Sequence, residues 1–196
     1  MATTTRKTAL RNTAIWTVST FLALPIAGYL GTAVVGRVDN VISALAGGAT
    51  VGAIVGLAQA LGSGRRLNAP TWILATAIGL SVGTVLGTLA VDFRTGLPDL
   101  ALRGLIAGAT VGLAQSLALP SRTRLRWMWV PAIAGLTSLG WTVTTLAGID
   151  VDQQFITFGA SGAFVYAVLS GLTLLALLPA TRENSRPSTA ELAARR

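Results

Sequence analysis

The chain has 196 residues, of which 52% are hydrophobic and only 11% charged, with 15 Lys and Arg against 7 Asp and Glu. An ordinary soluble domain carries about a quarter charged residues, so this chain has too little charge to cover a water-facing surface of its size, and its mean hydropathy is +0.66. A soluble enzyme, a disordered tail and a secreted disulfide scaffold are excluded; an integral membrane protein of one domain, 1–196, remains.

A spanning helix needs about 20 mostly apolar residues to cross a hydrocarbon core roughly 30 Å thick. Six runs meet that description, at 13–35, 41–62, 71–91, 100–119, 128–147 and 155–178. The fold expected is therefore an all-α membrane bundle of six transmembrane helices. The breaks between the runs are short and polar, which joins antiparallel neighbours. The first run follows basic residues, as a signal peptide does, but it is too long and ends in no small-residue cleavage site, so it reads as a retained span.

The charges sort by loop. The tails at 1–12 and 180–196 and the loops at 63–68 and 121–126 hold twelve cations and two glutamates, a net of +10. The opposite ends hold Arg37, Arg94 and Arg103 with all five aspartates (Asp39, Asp92, Asp99, Asp150 and Asp152), a net of −2. Positive loops stay inside, which predicts both termini in the cytoplasm of a bacterium, the protein lying in its cytoplasmic membrane. The arginines then serve as topology signals that also attract anionic lipid at the cytoplasmic face, and nucleic acid drops out as a partner. Trp16, Trp72, Trp127 and Trp129 fall at the expected cytoplasmic ends, where an indole sits among headgroups. Trp141 lies deeper, toward the outer half.

The chain also repeats itself. Gly56-Leu57-Ala58-Gln59-Ala60-Leu61 returns as Gly112-Leu113-Ala114-Gln115-Ser116-Leu117, an offset of 56 that also carries Trp16 onto Trp72. Gly171 to Pro179 echoes Gly112 to Pro120. The unit is a two-span hairpin used three times, at about 1–66, 67–123 and 124–196. Units with an even number of spans enter with one orientation, which predicts a pseudo-three-fold axis along the membrane normal.

Glycines four apart mark the faces expected to pack: Gly48, Gly52 and Gly56; Gly79, Gly83 and Gly87; Gly104, Gly108 and Gly112; and Gly171, at the end of the series Gly159, Ala163, Ala167. Lipid is as apolar as leucine, so helices associate by close backbone approach, which glycine permits. Intramembrane polar groups are where function is sought first. Gln59 and Gln115 occupy equivalent positions, with Leu174 in the third unit, and read either as an interhelical hydrogen bond or as a polar constriction or a ligand's hydrogen-bond partner. Arg103 stands four residues after Asp99, which suggests an i, i+4 ion pair with snorkelling toward the interface. Otherwise it is an anion-attracting group at the outer mouth of a pathway. Asp92 is a further member of that cluster.

Zero cysteines and zero histidines remove disulfides, thiolate chemistry, most zinc and haem ligation and the usual neutral-pH base. The aspartates of the 149–154 loop do not amount to a hard-ion site, and no phosphate-binding glycine loop is present. No catalytic residue, metal or cofactor is assigned. Glycine-rich hairpins ending in Gly-Leu-Ala-Gln before a basic turn resemble a group of uncharacterised bacterial multi-pass membrane proteins, the match covering the second and fourth spans. That resemblance implies a fold and no chemistry. The function expected is non-enzymatic: a structural, assembly or interaction role beside a membrane-protein partner or in a homo-oligomer, the alternative being a small-solute channel or transporter along the axis.

Overall fold

The computed structural model describes residues 2–123, 125–149 and 155–177. It is all-helical, with no strand among the described residues. The helices are α1 (Ala2–Val35), α2 (Val41–Gly62), α3 (Ala69–Ala90), α4 (Leu97–Ala118), α5 (Trp129–Leu146) and α6 (Ala160–Leu177), with one 3₁₀ turn at Arg126–Met128. Five of them are long and apolar enough to cross a membrane: Ala9–Val35 within α1, then α2, α3, α4 and α6. This is the architecture of an all-α, multi-pass membrane protein.

Local chemistry sets the helix ends. Gly36, at φ +69°, closes α1 in a left-handed conformation that a side chain would strain. Asn40 then caps α2: its side chain accepts from the backbone N–H of Ile42 and Ser43, and Ser43 Oγ accepts in return from the Asn40 N–H. Asn68 caps α3 more simply, its side chain accepting from the backbone N–H and the hydroxyl of Thr71, with Pro70 in the first turn, and Pro98 occupies the first turn of α4. Three helices of 22 residues are each about 33 Å long at 1.5 Å per residue, the thickness of the hydrocarbon layer.

Each helix packs against its two sequence neighbours, and α6 packs against α1, so six helices close into a ring. Helix α6 ends where α1 begins, since Gly171 lies against Thr13, Trp16 and Thr17. The termini therefore share one end of the ring, called the terminal end below. The exterior is apolar: Ile42, Leu61, Leu74 and Ile78 are all more than half exposed. The polar side chains are inside. Thr76, Thr84, Arg103, Gln59 and Gln115 are all buried. A water-soluble fold is arranged the other way round.

The glycines sit where helix backbones meet. A Cβ on Gly52 would lie 2.6 Å from the Thr76 carbonyl oxygen and 2.7 Å from Ala77 Cα, and one on Gly48 would lie 2.8 Å from Ser81 Cα. Gly56 lies similarly against Ile73 of α3. Gly79, Gly83 and Gly87 face Val111, Ala107 and Arg103 of α4; Gly104, Gly108 and Gly112 face Ser138, Ala134 and Val130 of α5. At Gly171 the neighbour is side chain, the indole of Trp16 and the hydroxyl of Thr17.

The helices depart from the sequence expectations in three places. Helix α1 begins at Ala2, well before the expected span, because nothing between residues 2 and 12 stops a helix. Helix α5 has 18 residues, five of them Ser or Thr and two Trp, and is absent from the five membrane-length apolar helices. Helix α6 starts at Ala160, five residues later than expected. Residues 155–159 instead run as non-helical chain into the far end of the ring, burying Ile156 and Phe158. Gly159 accordingly precedes α6, its N–H donating to Thr144 Oγ1. The expected loop carboxylates Asp150 and Asp152, the arginine at 124 and the tail at 180–196 lie outside the described residues.

Candidate functional site

The ring encloses an axial cavity of about 50 Å³. Its terminal end is closed by indoles. Trp16 and Trp72 meet edge to face with centroids 6.1 Å apart, and Trp72 and Trp129 are 6.3 Å apart. All three are at most 1% exposed. The expectation that these rings lie among headgroups is therefore corrected: they face inward, because each indole N–H finds an acceptor on the neighbouring helix. Only Trp127, at 49% exposure, points outward, with Arg126 over its ring.

Those N–H groups organise a polar network. Trp72 Nε1 donates to Gln59 Oε1 at 3.1 Å, and Trp129 Nε1 donates to Gln115 Oε1 at 2.8 Å. Trp16, lacking a glutamine beside it, donates to Ser170 Oγ at 3.2 Å. An indole N–H can only donate, so each amide must turn its oxygen to its tryptophan and its nitrogen inward. Gln115 Nε2 then donates to Thr76 Oγ1 at 2.9 Å and to Gln59 Oε1 at 3.3 Å. The Thr76 hydroxyl proton is already committed to the Trp72 carbonyl at 2.8 Å. Gln59 Nε2 comes last in this sequence. It turns to the Tyr166 side chain, with which it makes at most a loose hydrogen bond.

Beyond the amides the cavity is lined by Leu24, Val51, Val55, Leu80 and Val111, and then by Thr84, Ala107 and Thr137. At its far end stands Arg103, 4% exposed. Its Nη2 donates to the Phe155 carbonyl at 3.1 Å, and its guanidinium carbon lies 5.2 Å from the centroid of the Trp141 ring. The expected pair with Asp99 does not form. Asp99 sits in the exposed first turn of α4 and takes Arg94 instead, at 3.1 Å. Arg103, a full turn deeper, turns inward; it neither snorkels nor meets Asp92, which is exposed. Among the described residues no carboxylate lies within ion-pair distance of it. Ile156 and Phe158 close the axis over it, Phe158 packing on Trp141 at 6.0 Å and on Tyr166 at 5.6 Å.

The late start of α6 leaves a second space. Between the far half of α1 (Pro25, Gly28, Tyr29, Thr32) and the 155–159 segment lies a groove of about 540 Å³. Trp141, Thr157 and Phe158 form part of the walls of both spaces.

The structure thus joins Gln59 to Gln115 directly and sets Arg103 apart from them. Sequence reasoning missed Thr76, Tyr166 and the inward role of the tryptophans. One signal was present: Trp16 and Trp72 recur at the same 56-residue offset as the two glutamines. Among the described residues no group of three acidic, His or Cys side chains is placed to hold a metal. No family model, curated protein or solved structure matches the chain, so the site is read from its own geometry.

Proposed function

We propose that this chain is a six-span protein of the bacterial cytoplasmic membrane with both termini in the cytoplasm, and that its ring holds a small solute on the axis as a channel or transporter. In this reading α5 is the sixth span. Its hydroxyls support it, because Thr137, Thr142, Thr144 and Thr145 each donate to the carbonyl four residues earlier. None of those hydroxyls needs water. The three hairpins at about 1–66, 67–123 and 124–196 are tandem repeats around a pseudo-three-fold axis. The three tryptophans support this, since each donates to the neighbouring hairpin's second helix.

One observation carries the solute reading. Arg103 is a buried cation in a spanning helix, lining the cavity, with no carboxylate beside it among the described residues. A charge inside a spanning helix costs up to about 2.5–3.5 kcal/mol by insertion scales, the full figure at the helix centre, and an apolar side chain of similar volume would pack at Arg103 without that cost. Packing alone therefore gives no reason for it. The structural or assembly role, non-enzymatic and resting on lipid or a membrane-protein partner, is the second reading. The indole closure of the terminal end favours it.

Cysteine accessibility separates the two. The chain has no native cysteine, so single cysteines at Val55, Thr84 and Val111 report on the axis, and one at the lipid-facing Leu74 is the control. A solute pathway makes the axial positions react with small water-soluble methanethiosulfonates in membranes while Leu74→Cys stays inert. Axial positions as inert as the control would refute the pathway and leave the structural role.

A further inference from the structure

We infer that the solute is a small inorganic anion; this rests on the axial-site reading above and names its substrate class. The argument is an inventory of donors and acceptors. At the far end of the cavity the guanidinium of Arg103 has five N–H donors, of which one meets the Phe155 carbonyl. At the terminal end the amide network terminates in Gln59 Nε2, buried at 1% exposure, whose two N–H donors have only a loose hydrogen bond to the Tyr166 side chain between them. Its orientation is dictated by Trp72, whose N–H can face only the amide oxygen. Among the described residues, both ends of the cavity therefore present spare donors, one of them carrying a full positive charge.

Among the described residues no carboxylate lines the cavity. A cation would meet repulsion at Arg103 and, among the described residues, no negatively charged acceptor in the lining. An anion neutralises the arginine and accepts from it in a charge-assisted hydrogen bond. Size narrows the class further. A cavity with about 50 Å³ open to the centres of water molecules has room for a few waters, each needing roughly 10–15 Å³ on that measure, and so for a small anion with part of its hydration shell. Arg103 and Gln115 are twelve residues apart on α4, about 18 Å along the axis at 1.5 Å per residue. The two donor groups are thus separate stations, with the collar of Val51, Val55 and Val111 between them.

Trp141 supplies the readout, because its ring is in contact with the guanidinium that holds the ion. Bromide quenches indole fluorescence, so bromide titrated into the purified full-length protein in nanodiscs should produce a saturable quenching phase above the linear collisional one. Chloride should compete it away, and caesium, a cationic quencher, should produce none. The phase should vanish in Trp141→Phe. In Arg103→Gln binding should weaken by about 10- to 100-fold, the worth of a charge-assisted hydrogen bond; Arg103→Lys, which keeps the charge, should recover part of it. Gln59→Leu should leave the phase present while slowing bromide flux into proteoliposomes.

Quenching with no saturable phase, or one equal in Arg103→Gln, overturns the anion assignment. A phase that emerges only when Asp150→Asn and Asp152→Asn are introduced also overturns it, because the arginine's counter-ion is then the chain's own. If axial cysteines react while bromide and chloride neither bind nor permeate, the solute pathway stands and only its anionic class falls. If the axial cysteines are inert as well, both fall.

Discussion

Replacing Gln115 with leucine tests the core network most directly. Gln115 is fully buried and makes three hydrogen bonds: it accepts from Trp129 and donates to Thr76 and Gln59. Leucine fills much of the same space and makes none. The two donated bonds contribute about 0.6 kcal/mol each on the average for polar contacts inside membranes. Leaving the Trp129 N–H buried and unpaired costs about 1–3 kcal/mol more, while Gln59 Oε1 keeps Trp72 as a donor. The expected loss is about 3 kcal/mol, read from reversible SDS titration of the protein in mixed micelles with tryptophan fluorescence as the signal. A loss below about 0.5 kcal/mol would refute the claim that the network holds the ring together, since it would be smaller than a single average bond. The repeat supplies a rescue. Trp16 donates to Ser170, the residue before Gly171, and the corresponding position before Gly112 is Val111. Val111→Ser combined with Gln115→Leu should recover about 1 kcal/mol, one net hydrogen bond. A large loss without rescue would leave the network intact as an explanation and sink the equivalence of the repeats.

Three further outcomes are expected. Gly52→Ala drives a methyl into the backbone at Thr76 and Ala77 and should cost about 1–3 kcal/mol by overpacking, whereas Gly135→Ala meets nothing within 4 Å and should raise the thermal midpoint, because alanine is the better helix former. Equal effects at the two positions would contradict the close approach of α2 and α3. Asn40→Ala removes the α2 cap and should cost about 1 kcal/mol, measured in the same titration; Asn40→Asp, which also caps, should not. For orientation, Asp39→Cys should react with an impermeant maleimide from outside intact cells and Ser121→Cys only after lysis. The reverse pattern would overturn the charge-based topology.

Much of the fold was legible because it depends on local quantities. Membrane-length apolar runs, Asn caps, a glycine at each fourth residue and a charge imbalance between loops are all properties of short segments, and the order of the helices follows from short connections. Two parts were not legible. The break at 155–159 was hidden because Phe155, Ile156 and Phe158 are apolar, and apolar residues read the same in a spanning helix and in a buried non-helical stretch. The Arg103 side chain was misdirected because spacing alone allowed Asp99. What decided it was the contest for Asp99, taken by the exposed Arg94, together with the inward offer of the Phe155 carbonyl and the Trp141 face.

The tryptophans show the same division. Their positions near helix ends, read alone, suggested the headgroup layer, where an indole is content with one wet side. In the ring they are buried, because Gln59, Gln115 and Ser170 on neighbouring helices each present an acceptor at the right depth. The sequence by itself determined that the chain must live in lipid and which residues can approach one another closely, since composition and spacing suffice for both. Only the tertiary structure decided that six helices close into a ring, that its polar groups converge on the axis, and that a cation and the Gln59 amide face the same small cavity. Those are relations between residues far apart in the chain, set by which helix neighbours which.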